Sequence, residues 1–191
     1  MIVAIAPVLI ALASFFLRIF NLASIKTMIF DEVYYVDGAR DLLKYGVEVT
    51  GADPEFVVHP PVGKWLIASG IKVFGDNPLG WRFTTALLGS VMILVIALIA
   101  HRLFYSPVLT ALAAALMAVD GLALVHSRTA LLDNFLAFFI LVATHFFISR
   151  KYWWSGAFLG LALATKWSAL YFILVFGLIA LYRAFNHHTG R

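Results

Sequence analysis

The sequence predicts an all-α polytopic membrane protein, and three observations carry that prediction. Hydrophobic residues fill 63% of the 191 positions and charged residues only 13%, with a mean hydropathy of +0.95, whereas a soluble domain carries about a quarter charged residues. Six stretches contain no Asp, Glu, Lys or Arg: residues 1–17, 83–101, 103–119, 134–149, 152–165 and 167–182. Backbone polar groups in lipid must be satisfied within the chain, so each stretch reads as a transmembrane helix. Finally, if the amino terminus is cytoplasmic and the six helices alternate, the inner connections hold Arg102, Arg150, Lys151, Arg183 and Arg191 and no acid. All ten carboxylates, Glu55 among them, then fall outside with the other nine bases, which is the positive-inside pattern and places both termini in the cytoplasm.

Taken in order, the first stretch contains Ala11-Leu12-Ala13, which resembles a signal-peptide cleavage site. No basic residue precedes it and hydrophobicity continues through Phe20, so a membrane helix is the stronger reading. Residues 21–82 then form one long extracytoplasmic loop, and a connection of that length usually has a function. Within it Asp31 is placed to cap a helix running toward Tyr45, with Lys44 in the last turn and Gly46 at the end. Residues 46–59 are expected to be irregular. Pro60-Pro61 suits the start of a second helix from Val62 to Phe74. Its Val62, Trp65, Leu66, Ile67, Ile71 and Phe74 suggest an interfacial helix on the membrane surface or against the bundle. Asn77-Pro78 caps and opens the second membrane helix.

Five helices with short turns follow. Gly156, Gly160 and Ala164 form a small-residue stripe, read as helix packing. No repeat or linker interrupts the chain, so residues 1–191 are expected to form a single domain. The absence of cysteine excludes a disulfide, a thiolate metal site and a cysteine nucleophile. His145, His187 and His188 lack partners at metal-ligand spacing, so no metal is expected. The net charge of +4 would suggest nucleic acid or anionic lipid in a soluble protein. Here its segregation matters more than its sum, and no nucleic-acid partner is expected.

Several charge-free stretches fall short of the ~20 residues that span hydrocarbon. The shortfall lies at their outer ends, where Arg18, Arg82, Asp120, Asp133 and Lys166 intervene. One snorkelling base is ordinary, but ionisable groups of both signs at one depth favour a cavity open to the outer leaflet.

Chemistry-bearing residues concentrate at that level. The adjacent acids of Phe30-Asp31-Glu32-Val33-Tyr34-Tyr35 read either as a helix cap plus a first-turn acid, or as a general base near the membrane surface. Adjacent side chains diverge at a helix end, so Asp31 is expected to take the proton and Glu32 to bind or orient. In His59-Pro60-Pro61-Val62-Gly63-Lys64 a diproline and a glycine bracket two cationic-capable groups at a helix start, which can receive an anion. Arg82, after Trp81, is either an interfacial anchor or a phosphate ligand. Arg128 and Asp133 lie in the next outer turn, where they could pair with each other, and Asp120 could cap or pair. Lys166 has no acid near it in sequence and is harder to read as structural.

Together the segments containing Asp31-Glu32, His59 to Lys64, Gly80-Trp81-Arg82-Phe83, Ser127-Arg128-Thr129-Ala130-Leu131-Leu132-Asp133 and Gly160-Leu161-Ala162-Leu163-Ala164-Thr165-Lys166-Trp167-Ser168 resemble the protein O-mannosyltransferase family of GT-C-fold membrane glycosyltransferases. The matches occur in the family's order. The resemblance implies that Asp31 is the catalytic base, with Glu32 beside it in the catalytic motif. It implies a polyprenyl- or dolichyl-phosphate-linked mannose donor. An acceptor Ser or Thr hydroxyl on a protein would attack the anomeric carbon with inversion. His59, Lys64, Arg82, Arg128 and Lys166, with Arg18 as a weaker candidate, would hold the donor phosphate, and Asp133 would position substrate or neighbouring bases. It implies no cofactor and no metal. The compactness of the chain suggests a bacterial plasma membrane with the active site outside, and an endoplasmic reticulum location would fit the same orientation.

The family's chains are generally longer, so the resemblance covers their N-terminal part. Further acceptor and lipid contacts are expected from beyond the match or from a partner chain. The turn before Asp31 also lacks a proline that many members carry, and relatives of the same fold use glycolipid acceptors. The competing reading is a non-catalytic membrane subunit or assembly partner. A transporter would place its charges nearer mid-membrane and often show repeat symmetry.

Overall fold

A computed structural model describes residues 2–51, 53–54 and 58–189, with side chains at 5–51, 53 and 58–186. Glu55 and Arg191 therefore lie outside the described residues, as do the side chains of His187 and His188. Each of the six charge-free stretches is helical over most of its length: α1 (Ile2–Ile19), α4 (Pro78–Phe104), α5 (Pro107–Val119), α7 (Leu132–Ile148), α8 (Tyr152–Leu163) and α9 (Ala169–Thr189). By length and hydropathy, α4 and the Ala169–Asn186 part of α9 qualify as membrane spans, while α1, α5 and α7 contain shorter apolar runs.

The long loop folds as its capping residues dictate. Helix α2 (Glu32–Tyr45) stops at Gly46, whose φ of 76° is the left-handed conformation that a glycine adopts without steric cost. It buries Glu32, Tyr35, Val36 and Ala39, one stripe at helical spacing. Helix α3 (Val62–Phe74) follows the diproline and buries Ile67 and Ile71 against the bundle, with Trp65 left outside. Asn77 caps α4 by accepting from the N–H groups of Leu79 and Gly80.

The segment after Gly46 departs from the expected irregular loop. β1 (Val49–Thr50) pairs antiparallel with β2 (Asp53–Pro54), turning at Gly51 with φ 68°. The pairing suits the β-branched Val49 and Thr50. A short helix, α6 (Gly121–His126), fills the connection after α5, and Asp120 caps it through the N–H of Ala123.

Helix α4 is the hub and packs on α1, α3, α5 and α7. Packing of the loop is close where glycines allow it. A side chain at Gly63 would meet Leu132 at 2.5 Å and Thr165 at 3.0 Å, so the start of α3 rests directly on the start of α7. The stripe at Gly156 and Gly160 behaves differently from expectation: both face open space, and α8 buries Ser155, Leu159 and Ala162 instead. Beside that buried face, the Phe139 and Phe146 rings of α7 meet Phe158 of α8.

Charges separate along α7. Asp133 stands at its start, whereas Arg102 and Lys151 act on His145 near its end and Arg183 lies 5.1 Å over the Phe147 ring.

Candidate active site

Three chain turns distant in sequence are stitched together around the start of α2. The Val62 N–H donates to the Ala164 carbonyl at 3.0 Å, and the Trp167 indole donates to the Val58 carbonyl at 2.9 Å. These bonds hold the His59-to-Lys64 segment against the turn that carries Lys166.

Asp31 occupies the cap position of α2, yet its side chain makes no capping bond. It accepts instead from the Tyr35 hydroxyl at 3.2 Å and lines a cavity of about 590 Å³ shared with His59, Lys64, Glu48 and Asp41. The residue before it, Phe30, has φ 54°, a left-handed conformation that costs a residue with a Cβ about 1–2 kcal/mol.

Glu32 points the opposite way and is fully buried. Its Oε1 accepts from Arg82 Nε at 2.7 Å and the Ala130 N–H at 2.6 Å, and its Oε2 from Arg82 at 2.6 Å and the Ile29 N–H at 2.8 Å. Arg82 also donates to the carbonyls of Leu22, Ile25 and Thr27. All five guanidinium N–H groups are thereby engaged. The position differs from that expected of a phosphate ligand, because Arg82 is 1% exposed and has no donor to offer outward.

The other cations divide between two places. Lys166 donates to both oxygens of Asp133 at 2.7 and 2.9 Å, so this acid pairs with Lys166 and not with Arg128. The pair remains partly exposed at the start of α7. Lys64 lines the cavity but is buried in an ion pair with Glu48. Arg128 lies away from the cavity and donates to the carbonyls of Leu17 and Arg18 at 2.8 Å, satisfying the last turn of α1. Arg18 is fully buried beside Gly89, bonded to the Ser14 hydroxyl. Neither arginine lines the Asp31 cavity.

His59 reports how the charges converge. Its imidazole is pushed below its ordinary value by burial and then by Lys166 and Lys64, with Asp133 and Asp31 opposing. Tyr35 is pushed up by burial and by the Asp31 charge and hydrogen bond, with a further contribution from Asp133. Asp31, His59, Lys64, Asp133 and Lys166 thus form one electrostatic neighbourhood, although only the first three line the cavity itself.

Sequence reasoning missed two residues of this neighbourhood. Tyr35 was legible as a partner of Asp31, since positions four apart share a helix face. Glu48 carried a weaker signal, a single acid between Val47 and Val49 in a segment with strand character.

A family model described as dolichyl-phosphate-mannose-protein mannosyltransferase matches residues 58–190, more than half of the chain. The chain belongs to this family. It is 40% identical to a polyprenol-phosphate-mannose-protein mannosyltransferase of Mycobacterium tuberculosis over 91% of its own length and 39% of that protein. It is 37% identical to proteins of the same description from Mycolicibacterium smegmatis, over 93% of this chain and 41% of the relative, and from Corynebacterium glutamicum, over 90% and 40%. The chain therefore spans about two fifths of the length of these curated relatives. The family match begins at the His59 segment and takes in Lys64, Arg82, Arg128, Asp133 and Lys166, while the longer pairwise matches cover nine tenths of the chain.

Proposed function

We propose that this chain forms the catalytic part of a membrane glycosyltransferase that moves mannose from a polyprenyl-phosphate carrier to a Ser or Thr hydroxyl of a protein, with inversion. The observation that carries this reading is Asp31. It is a carboxylate at a helix start that does no capping and faces a cavity beside His59 and Lys64, in a chain whose family is defined by that sugar transfer. A general base needs an oxygen within hydrogen-bond reach of the hydroxyl it deprotonates, and the cavity offers space for one.

In the reaction, one Asp31 oxygen takes the acceptor's hydroxyl proton. The acceptor oxygen bonds to the anomeric carbon. The bond from that carbon to the carrier's phosphate oxygen breaks, and the electron pair leaves with the phosphate. Lys166, partly exposed and held by Asp133, is the best-placed cation to stabilise the departing charge. His59 contributes at the cavity wall, where Lys64 stays paired with Glu48 and holds geometry. Glu32 and Arg82 act as scaffold, fixing the backbone from which Asp31 projects, and Arg128 secures the end of α1. Arg18 sits too deep to touch substrate. The reaction as written uses neither a metal nor a cofactor.

The six apolar helices are proposed to span a bacterial plasma membrane, both termini inside and Asp31 outside. The bases Arg102, Lys151 and Arg183 near the end of α7, opposite the end that carries Asp133, support that orientation. The test is transfer from polyprenyl-phosphate mannose to a Ser/Thr peptide in nanodiscs. Asp31→Asn is expected to lower turnover by about 100-fold or more while leaving donor binding intact. Donor binding lost along with turnover in Asp31→Asn would refute Asp31's assignment as base. An unsubstituted protein that binds no such lipid in any assembly would favour the assembly-partner reading.

A further inference from the structure

We propose that Tyr35 is the positioning residue for Asp31, its hydroxyl holding Oδ2 so that Oδ1 is the oxygen turned to the acceptor. This rests on the reading of Asp31 as the base. The two residues are joined twice across one helical turn, through the Tyr35 N–H to the Asp31 carbonyl at 3.2 Å and through the side chains at 3.2 Å. Tyr35 is 5% exposed and belongs to the main apolar core with Val36, Ala39 and Ile67. Its ring also stands 6.2 Å from that of His59. The hydroxyl is therefore fixed by packing, and a fixed donor fixes the carboxylate that accepts from it.

Among the described residues no other side chain donates to the Asp31 carboxylate, and the charged groups nearby are engaged elsewhere. Around the cavity Asp37 is tied to Arg40, Asp41 to the Val49 N–H, and Glu48 to Lys64. Beyond it, Asp133 holds Lys166. His59 is the remaining titratable group, and no bond joins it to Asp31 among the described residues. Tyr34 provides the internal comparison: it borders the same cavity and is 72% exposed, and although its N–H donates to the Asp31 carbonyl at 3.1 Å, its hydroxyl makes no bond to the Asp31 carboxylate. Of two adjacent tyrosines, only the one four residues along the helix reaches the carboxylate.

The experiment compares Tyr35→Phe with Tyr34→Phe in the purified protein in nanodiscs. The Asp31 carboxyl titration is read by carbon-13 NMR as the difference from Asp31→Asn, and transfer is measured in parallel. Removing a donor from a carboxylate disfavours its charged form. In Tyr35→Phe the Asp31 midpoint should therefore move up, and the acid limb of kcat with it. Turnover should fall about tenfold or more with the KM for the lipid donor unchanged. Tyr34→Phe should change none of these. The ring of Tyr35→Phe keeps the core filled, and a thermal scan checks that it does. An unmoved Asp31 midpoint in the folded Tyr35→Phe protein overturns the proposal and leaves Tyr35 a packing residue. Absence of transfer in the unsubstituted protein would instead count against the functional reading, and the titration would still decide whether Tyr35 holds Asp31.

Discussion

Replacing Glu32 with glutamine tests whether the motif's second acid is structural. The carboxylate accepts four hydrogen bonds, two at each oxygen, from Arg82, Ala130 and Ile29. Glutamine keeps one acceptor oxygen and turns an NH2 toward two donors, so two of the four bonds are lost whichever way the amide is placed. Arg82, 1% exposed, keeps its carbonyl partners but loses its counter-charge. Breaking a buried pair from one side costs about 3–5 kcal/mol. For a chain of this size that converts to a fall in melting temperature of roughly 6–20 °C. The assay is thermal unfolding of detergent-purified protein followed by tryptophan fluorescence, with Asp31→Asn as the control. That neighbouring change keeps an oxygen for the Tyr35 hydroxyl and should stay within about 0.5 kcal/mol of the parent. Arg82→Met should show a similar loss, and the double variant less than the sum, because the two changes remove one shared interaction. A Glu32→Gln protein melting within about 2 °C of the parent would refute the reasoning.

Two further outcomes follow from the same geometry. Gly63→Ala drives a methyl group to 2.5 Å from Leu132, so it should destabilise by about 1–3 kcal/mol and lower transfer by parting the His59 segment from the Lys166 turn, measured by unfolding and turnover together. His59 is held below its ordinary value by burial, then by Lys166 and Lys64. The unfolded chain therefore binds a proton that the folded chain refuses, and this contribution to stability is present above about pH 6.5 and is lost as the pH falls below it. In His59→Gln, melting temperatures measured from about pH 7 down to pH 5 should fall less steeply than in the parent.

What the sequence disclosed was periodicity and punctuation. Helices α2, α3 and α4 begin and end where Gly46, Pro60-Pro61 and Asn77-Pro78 place them, because caps and prolines act over a few residues and are read locally. The partners of the charges were not legible. Arg128 and Asp133, five apart in one turn, invite pairing, yet Asp133 finds Lys166 thirty-three residues on and Arg128 finds the end of α1. Which partner wins depends on where neighbouring helices cross, and that is set by packing at sites such as Gly63 and Gly89. The small-residue stripe at Gly156 misled for the same reason: a permissive surface predicts close packing only if another helix arrives.

Depth of burial sorts the acidic and basic residues into two kinds of work. Glu32 with Arg82, and Glu48 with Lys64, are paired where almost no side-chain surface remains. A charge so placed cannot leave its partner for a substrate without stranding a buried ion, so these pairs hold geometry. Lys166 and Asp133 are paired at 21% and 41% exposure, where water offsets the loss of either partner and exchange with an incoming phosphate costs little. Of the adjacent acids Asp31 and Glu32, Asp31 has no cation bonded to it among the described residues and keeps one oxygen free. The site therefore combines a rigid frame of buried pairs with one loosely paired cation and one carboxylate free of a cation, a division that suits the proposed displacement at an anomeric carbon: attack and departure need mobile charge, and alignment needs charge that cannot move.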